Sequence, residues 1–299
     1  MGTNNMMQKN YYAVIEAGGT KFNCAIVDEQ RNLHAQTRIA TTEPDETLAL
    51  VIEFFQQQRT TFYFDKLGLA CFGPVDLNPR SSTFGHITAT PKPNWSNTAI
   101  LSRLKDGLDC EVFIDTDVNA AALAEHNWGA AQNTSVSIYI TIGTGVGGGV
   151  VVNGAPLHGL IHPEIGHMLI PAPEGIQGAC PFHGNCVEGL ASGTAMGKIW
   201  QQAAETLPDV HQAWDIQAQV LARLCHNLIV GYSAEKIVFG GGVMAKPNLL
   251  DKVIAYTQTS LAEYVTFPQG SSLHNIICLP GLGQHSGLFG GLALILAKP

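Results

Sequence analysis

The sequence predicts an α/β protein built as two lobes with a cleft between them. Three observations carry that expectation. Strand-like and helix-like segments alternate along the chain, the opening unit of strand, glycine turn and strand recurs near the middle, and three glycine clusters each follow a predicted strand. The length, 299 residues, allows one large or two medium domains. Hydrophobic residues make up 45% and charged residues 13%, which is ample material for a core and too little charge for a disordered chain.

Residues 11–16 form a short apolar run that ends in a glycine pair, and 21–27 form a second strand, followed by a turn over 28–32 and a third strand over 34–40. Residues 46–59 read as a helix, with Leu48, Val51, Ile52 and Phe55 at helical spacing. A buried strand follows at 66–72. The stretch 95–108 reads as a loop and a helix with Ile100, Leu101 and Leu104 inward. Then come a strand at 111–115 and an alanine-rich helix at 119–128. The opening pattern now returns: a strand at 135–142, a glycine turn at 143–149, a strand at 150–152 and a tight Asn153-Gly154 turn. Later helices are expected at 212–225, 249–264 and 287–297. A strand at 236–239 feeds the third glycine turn.

The clusters Gly18-Gly19-Thr20-Lys21, Gly143-Thr144-Gly145-Val146-Gly147 and Gly240-Gly241-Gly242 can each bring backbone N–H groups close to an anion. Hydroxyls of Thr20 and Thr144 and the Lys21 ammonium would add to a phosphate site. Neither GxxxxGK[ST] nor a strand–GxGxxG–helix unit is present. A single glycine cluster is most often a plain turn; three at strand ends shift the reading toward phosphate. Asp115-Thr116-Asp117-Val118-Asn119 lies where a strand gives way to a helix, the place where ligands collect in open α/β sheets. An aspartate there can accept the proton of an attacking hydroxyl in phosphoryl transfer. The alternative is that Asp115 or Asp117 caps the next helix, although two acids and an amide in five residues are more than one cap requires.

Seven cysteines, an odd number, disfavour a disulfide framework. Five sit in apolar surroundings as small buried hydrophobes. Cys180 and Cys186 differ, because with His183 they form C-x2-H-x2-C in a Gly/Pro-bearing loop after His167. Two thiolates and two imidazoles suit a closed tetrahedral zinc site of structural type. Spacing alone leaves the fourth ligand open, and the other reading is two buried cysteines and a surface histidine. The net charge of −8 argues against broad contact with nucleic acid or an anionic membrane. No apolar run reaches the ~18 residues of a membrane span and residues 1–10 are polar, so the chain is read as cytoplasmic.

Taken together, Glu16-Ala-Gly-Gly-Thr-Lys21, Asp115–Asn119, Gly143–Gly147, Glu164-Ile-Gly-His167, the Cys180–Cys186 loop with Glu188, Ala191-Ser-Gly193 and Gly240-Gly-Gly-Val-Met244 resemble, in order, the repressor/ORF/kinase (ROK) sugar kinases. Phe72-Gly-Pro-Val-Asp76 and Cys-Pro-Phe-His-Gly-Asn-Cys look like the zinc-containing fructokinase branch, whereas glucokinases of the family more usually carry C-x-C-G-x-x-G-C. The resemblance implies a duplicated actin/Hsp70/hexokinase-like (ribonuclease H-like) fold with ATP and sugar in the interlobe cleft. It places the lobes at 1–117, completed by a C-terminal helix over 285–299, and at 118–284. It casts Asp117 as the base that takes a proton from the sugar hydroxyl, with Asn94, Asp117, Glu164, His167 and Glu188 contacting the sugar. Gly18, Gly19, Thr20 and Lys21 match the first phosphate loop, Thr144 and Gly145 the second, and Gly241 and Gly242 the nucleotide-side turn. His167, Cys180, His183 and Cys186 match the zinc ligands, and Mg²⁺ would accompany ATP. Glu16 stands where most members have aspartate, and His162-Pro163 where glucokinases have Ala-Gly. A homodimer goes with the family.

The activity implied is phosphorylation of D-fructose to D-fructose 6-phosphate. A kinase of the same fold acting on glucose, mannose or N-acetylmannosamine is the near alternative. A sugar-responsive regulator is a further one, but family regulators carry an added N-terminal DNA-binding domain, and only about fifteen residues precede the first glycine turn here.

Overall fold

The structure, a computed structural model, describes residues 10–90 and 92–297. In chain order the elements are β1 (Tyr11–Ala17), β2 (Lys21–Asp28), β3 (Leu33–Ala40), α1 (Pro44–Arg59), β4 (Lys66–Cys71), α2 (Ile100–Leu108), β5 (Glu111–Thr116) and α3 (Asp117–Trp128). Then follow β6 (Val136–Ile142), β7 (Val146–Val152), β8 (Ala155–Pro156), α4 (Val187–Ala191), α5 (Gly193–Trp200), α6 (Ala213–Tyr232) and β9 (Lys236–Gly240). The chain ends with α7 (Leu249–Leu261), α8 (Leu273–Ile276), β10 (Ile277–Cys278) and α9 (Ser286–Leu296). Two compact units result: Met1–Ala124 with Gly287–Pro299, and Glu125–Ser286.

Among the described residues the strands form two five-stranded sheets of the same topology, β3-β2-β1-β4-β5 and β8-β7-β6-β9-β10. In each, the first strand pairs antiparallel with the second and parallel with the fourth. The recurrence in the sequence is therefore a recurrence of whole sheets. β1 and β4 lie at the centre and are apolar along nearly their full length, as strands covered on both faces must be. α1 starts with proline at its first turn and carries Asp45 and Glu46 there, favourable against the helix dipole. Its buried Leu48, Val51 and Phe55 follow the helical period. Each unit has its own core, the first around Phe22, Phe55, Leu69 and Trp95, the second around Ile140, Trp214, Leu221 and Phe239.

Several expected boundaries move. The expected turn over 143–149 closes by Gly145, because Gly147, Gly148 and Gly149 pair with Thr141, Ile140 and Tyr139 as part of β7. α6 runs on past 225 to Tyr232: the polar His226-Asn227 pair falls on its partly exposed side, and Leu228 and Ile229 return to the core. α7 stops at Leu261, where Ala262 and Glu263 take positive φ. Leu101, expected inward, is only half-buried. The short helices α4 and α5 fall in a stretch for which the periodicity predicts nothing.

Glu125, in α3, is fully buried. Its carboxylate accepts hydrogen bonds from Ala130 N at 2.7 Å, Gly281 N at 2.9 Å, Leu282 N at 3.1 Å and Ser286 Oγ at 2.7 Å. One side chain thus ties the segment after α3 to the segment before α9, the first and last stretches of the second unit. Among the described residues no helix is long and apolar enough to cross a membrane.

Candidate active site

Parallel register brings the chemistry of the first unit to one sheet edge. Ala17 pairs with Cys71 and Cys71 with Thr116, so Gly18, Phe72 and Asp117 leave the sheet side by side at its carboxyl end. The first glycine turn is closed by Gly18 N donating to Lys21 O at 2.9 Å and is held by Thr41 Oγ1 donating to Gly18 O at 2.7 Å. Thr20 and Lys21 point into solvent. Beside the turn, Glu16 accepts from Asn23 Nδ2 at 2.7 Å and packs against Gly287 at the start of α9.

The two acids after β5 have different surroundings. Asp115 is buried, accepting from Thr116 N at 2.7 Å and Asn119 Nδ2 at 2.8 Å. The capping bond to α3 comes from Thr116, whose Oγ1 accepts from Asn119 N at 3.1 Å. Neither acid is needed as the cap. Asp117 is half-buried in the first turn of α3, with Oδ1 accepting from Val118 N at 2.9 Å and the helix dipole favouring its charge. Burial pushes the Cys71 thiol well up, and the Asp117 charge adds to the shift.

Asn94 sits at positive φ and donates from Nδ2 to Glu43 Oε1 at 2.8 Å. Its loop is anchored on both sides: Lys92 Nζ donates to Thr41 O at 2.9 Å, and the buried Trp95 indole N–H donates to Thr42 O at 2.7 Å. Asn94, Glu43, Asp45, Asn97 and Arg103 line a polar depression of about 400 Å³.

In the second unit the other two glycine turns come together. Thr141 pairs with Gly240 across parallel β6 and β9, so Gly143–Gly145 and Gly240–Gly242 leave adjacent strands at the same end. Gly241 holds φ +88°, and a methyl there would stand 2.3 Å from Ile142 O, so glycine alone fits. Gly193 N donates to Gly143 O at 2.8 Å and Thr194 N to Thr144 O at 3.4 Å, which fastens the second turn to the start of α5.

His167, Cys180, His183 and Cys186 bring one donor atom each to within 4.8 Å of one another. Cys180 Sγ lies 3.8 Å from His183 Nδ1, and Cys186 Sγ lies 3.7 Å from His167 Nδ1. Sulfur and nitrogen ligands on a tetrahedral zinc stand about 3.5 Å apart, so this donor set fits such an ion with a small contraction. His167 turns its other nitrogen, Nε2, toward Glu188 Oε1 at 4.0 Å. Glu164 is exposed, and His162 Nδ1, nearly buried, lies 3.5 Å from it.

Of the residues singled out from sequence, Gly18, Gly19, Thr20, Lys21, Asn94 and Asp117 belong to the first unit, and Thr144, Gly145, Glu164, His167, Glu188, Gly241, Gly242 and the cysteine loop to the second. Sequence reasoning missed Glu43 behind Asn94. The Glu43-Pro44 helix start was a local signal for it, whereas His162, marked from sequence as a departure from the glucokinase pattern, stands beside Glu164.

This two-sheet architecture is the actin/hexokinase-like fold. It superposes on the ROK hexokinase from Thermus thermophilus with a TM-score of 0.76, at 24% identity, covering 96% of this chain and 97% of that one. The ROK family model matches residues 12–298, and the chain belongs to the ROK family. It is 44% identical to a fructokinase of Zymomonas mobilis subsp. mobilis over 97% of both chains. It is 39% identical to a fructokinase of Pediococcus pentosaceus over 95% of this chain and 96% of that one.

Proposed function

We propose that the protein is an ATP-dependent fructokinase that converts D-fructose to D-fructose 6-phosphate. The observation that carries this reading is the full-length identity of 44% to the Zymomonas mobilis fructokinase. The turns at Gly18–Lys21, Thr144–Gly145 and Gly241–Gly242 present backbone N–H groups for phosphate oxygens, with Lys21 adding charge. Mg²⁺, when bound with ATP, would offset the charge of the phosphates. Asn94, Glu164, His167 and Glu188 hold the sugar hydroxyls. Asp117 accepts the proton of the C6 hydroxyl as its oxygen bonds to the terminal phosphorus and the bond to ADP breaks. General-base help of this kind contributes roughly 10²–10⁴-fold.

The four-ligand cluster is assigned to structural zinc: all four positions come from protein, so it fixes the loop 180–186 and leaves no open position for water. A homodimer and a cytoplasmic location go with the family resemblance. The test is a coupled ADP-release assay with Mg-ATP across fructose, mannose, glucose and N-acetylmannosamine. Highest kcat/KM for fructose is expected. Preference for another hexose would keep the kinase and replace the substrate; no ADP with any sugar would overturn the kinase.

A further inference from the structure

The geometry points to Glu188 as a positioning residue that links the His/Cys cluster to the second glycine turn, so that zinc in the cluster sets nucleotide affinity. This rests on the kinase reading above. Glu188 is the second residue of α4, a helix of five residues, too short to hold its place by its own hydrogen bonds. Its position is dictated by what grips its two ends.

At the N-terminal end the grip is the cluster itself. Cys186 is the residue before the helix, and its Sγ accepts from Gly189 N at 3.3 Å, so one of the candidate ligands is also the helix cap. Ala179 N, beside Cys180, donates to Gly189 O at 2.7 Å. At the C-terminal end Ser192 caps α5, accepting from Ala195 N at 3.0 Å, and the next residue donates to Gly143 O.

Between these grips Glu188 spans the same gap with its side chain. Oε2 accepts from Val146 N at 3.0 Å, and Oε1 stands 4.0 Å from His167 Nε2, whose Nδ1 faces Cys186 Sγ. The turn is closed tightly on the carboxylate: a methyl on Gly145 would lie 2.6 Å from Oε2. A fixed cluster therefore fixes α4 and the His167 ring, and both fix the carboxylate that holds the N–H at the end of the second turn. With the four donors unbridged, α4 is gripped at one end only, and the turn loses its acceptor.

The experiment measures the Kd for ADP by titration calorimetry without sugar, on zinc-loaded protein and on protein stripped by chelator, with zinc counted by mass spectrometry. In the wild type, stripping is expected to raise the Kd about fivefold or more. Glu188→Ala should retain its zinc, bind ADP more weakly, and lose most of the response to stripping. Val146→Pro cuts the same bond from the other partner, at the first residue of a strand, where proline is tolerated, and should behave alike if Glu188→Ala fails to fold. An ADP Kd indifferent to stripping in the wild type overturns the link and leaves the kinase standing, as does a variant as sensitive to stripping as the wild type. No ADP binding by the loaded wild type overturns both.

Discussion

Replacing Glu125 by alanine removes the acceptor of four hydrogen bonds in one step. Three donors are backbone N–H groups and the fourth is the Ser286 hydroxyl, all at 2.7–3.1 Å. A hydrogen bond to a charged acceptor contributes about 1.5–3 kcal/mol, and a buried donor left bare costs about as much. The backbone donors are only part-buried, so water recovers some of this. About 1–1.5 kcal/mol for each of the four gives a loss of about 4–6 kcal/mol, a large share of the 5–15 kcal/mol typical of a folded domain. Glu125→Gln keeps the volume but turns an amide NH2 toward two of the donors, and is expected to lose at least half as much. Ser286→Ala, which removes one donor, should cost about 1 kcal/mol. Urea unfolding followed by near-ultraviolet dichroism measures the sums. Amide exchange at Ala130, Gly281 and Leu282 reads the site directly, without assuming that the two units unfold together. A Glu125→Ala protein within about 1 kcal/mol of wild type, with exchange at those amides unchanged, would refute the reasoning.

Asp117→Asn keeps shape and removes the proposed base; turnover should fall roughly 10²–10⁴-fold while dichroism stays that of wild type. Near-normal turnover would remove Asp117 from its role. Cys180→Ser should lower bound zinc, counted by mass spectrometry against protein, from one per chain toward zero; full retention would dismiss the cluster as the zinc site. Burial raises the thiols of Cys24, Cys71 and Cys225, the last to about 12, so near pH 8 they are neutral and slow toward disulfide reagents. Mass mapping after labelling should find the part-exposed Cys110 and Cys278 modified in the native protein and those three only in denaturant. Labelling of Cys24, Cys71 or Cys225 at a matching rate would contradict their burial.

What could be read from the sequence was short-range. The glycine turn after β1, the Asp115–Asn119 corner and the C-x2-H-x2-C spacing each lie within a few residues, and period or spacing exposes them. His167, left open by spacing and named only by the family resemblance, joins the cluster from 19 residues before Cys186. The partnerships that hold the site in place are more distant still. Asn94 leans on Glu43 from 51 residues away, and Glu188 reaches Val146 across 42. Glu125 meets Ser286 across 161, and nothing near Glu125 in the sequence sets it apart from any other helical glutamate. The strand character of Gly147–Gly149 was hidden for another reason. Glycine has low strand propensity, and pairing with β6 overrides it.

The way the chain closes on itself also bears on its birth. The second unit is one continuous stretch, but the first is interrupted by it and takes its last helix from α9. That helix lies tight on β4 and α3: a methyl on Gly68 would stand 1.8 Å from Gly291 O, and one on Gly290 would stand 2.7 Å from Ala120 Cβ. At about 5–20 residues per second on the ribosome, roughly 10–30 s pass between synthesis of Ala124 and of Leu296. Through that interval the sheet synthesised first waits with the face around Val14 and Gly68 uncovered, while the second unit needs no residue beyond Ser286 to close. The lobe made first is the lobe finished last, and its bare sheet face is where a nascent chain of this protein most needs shelter.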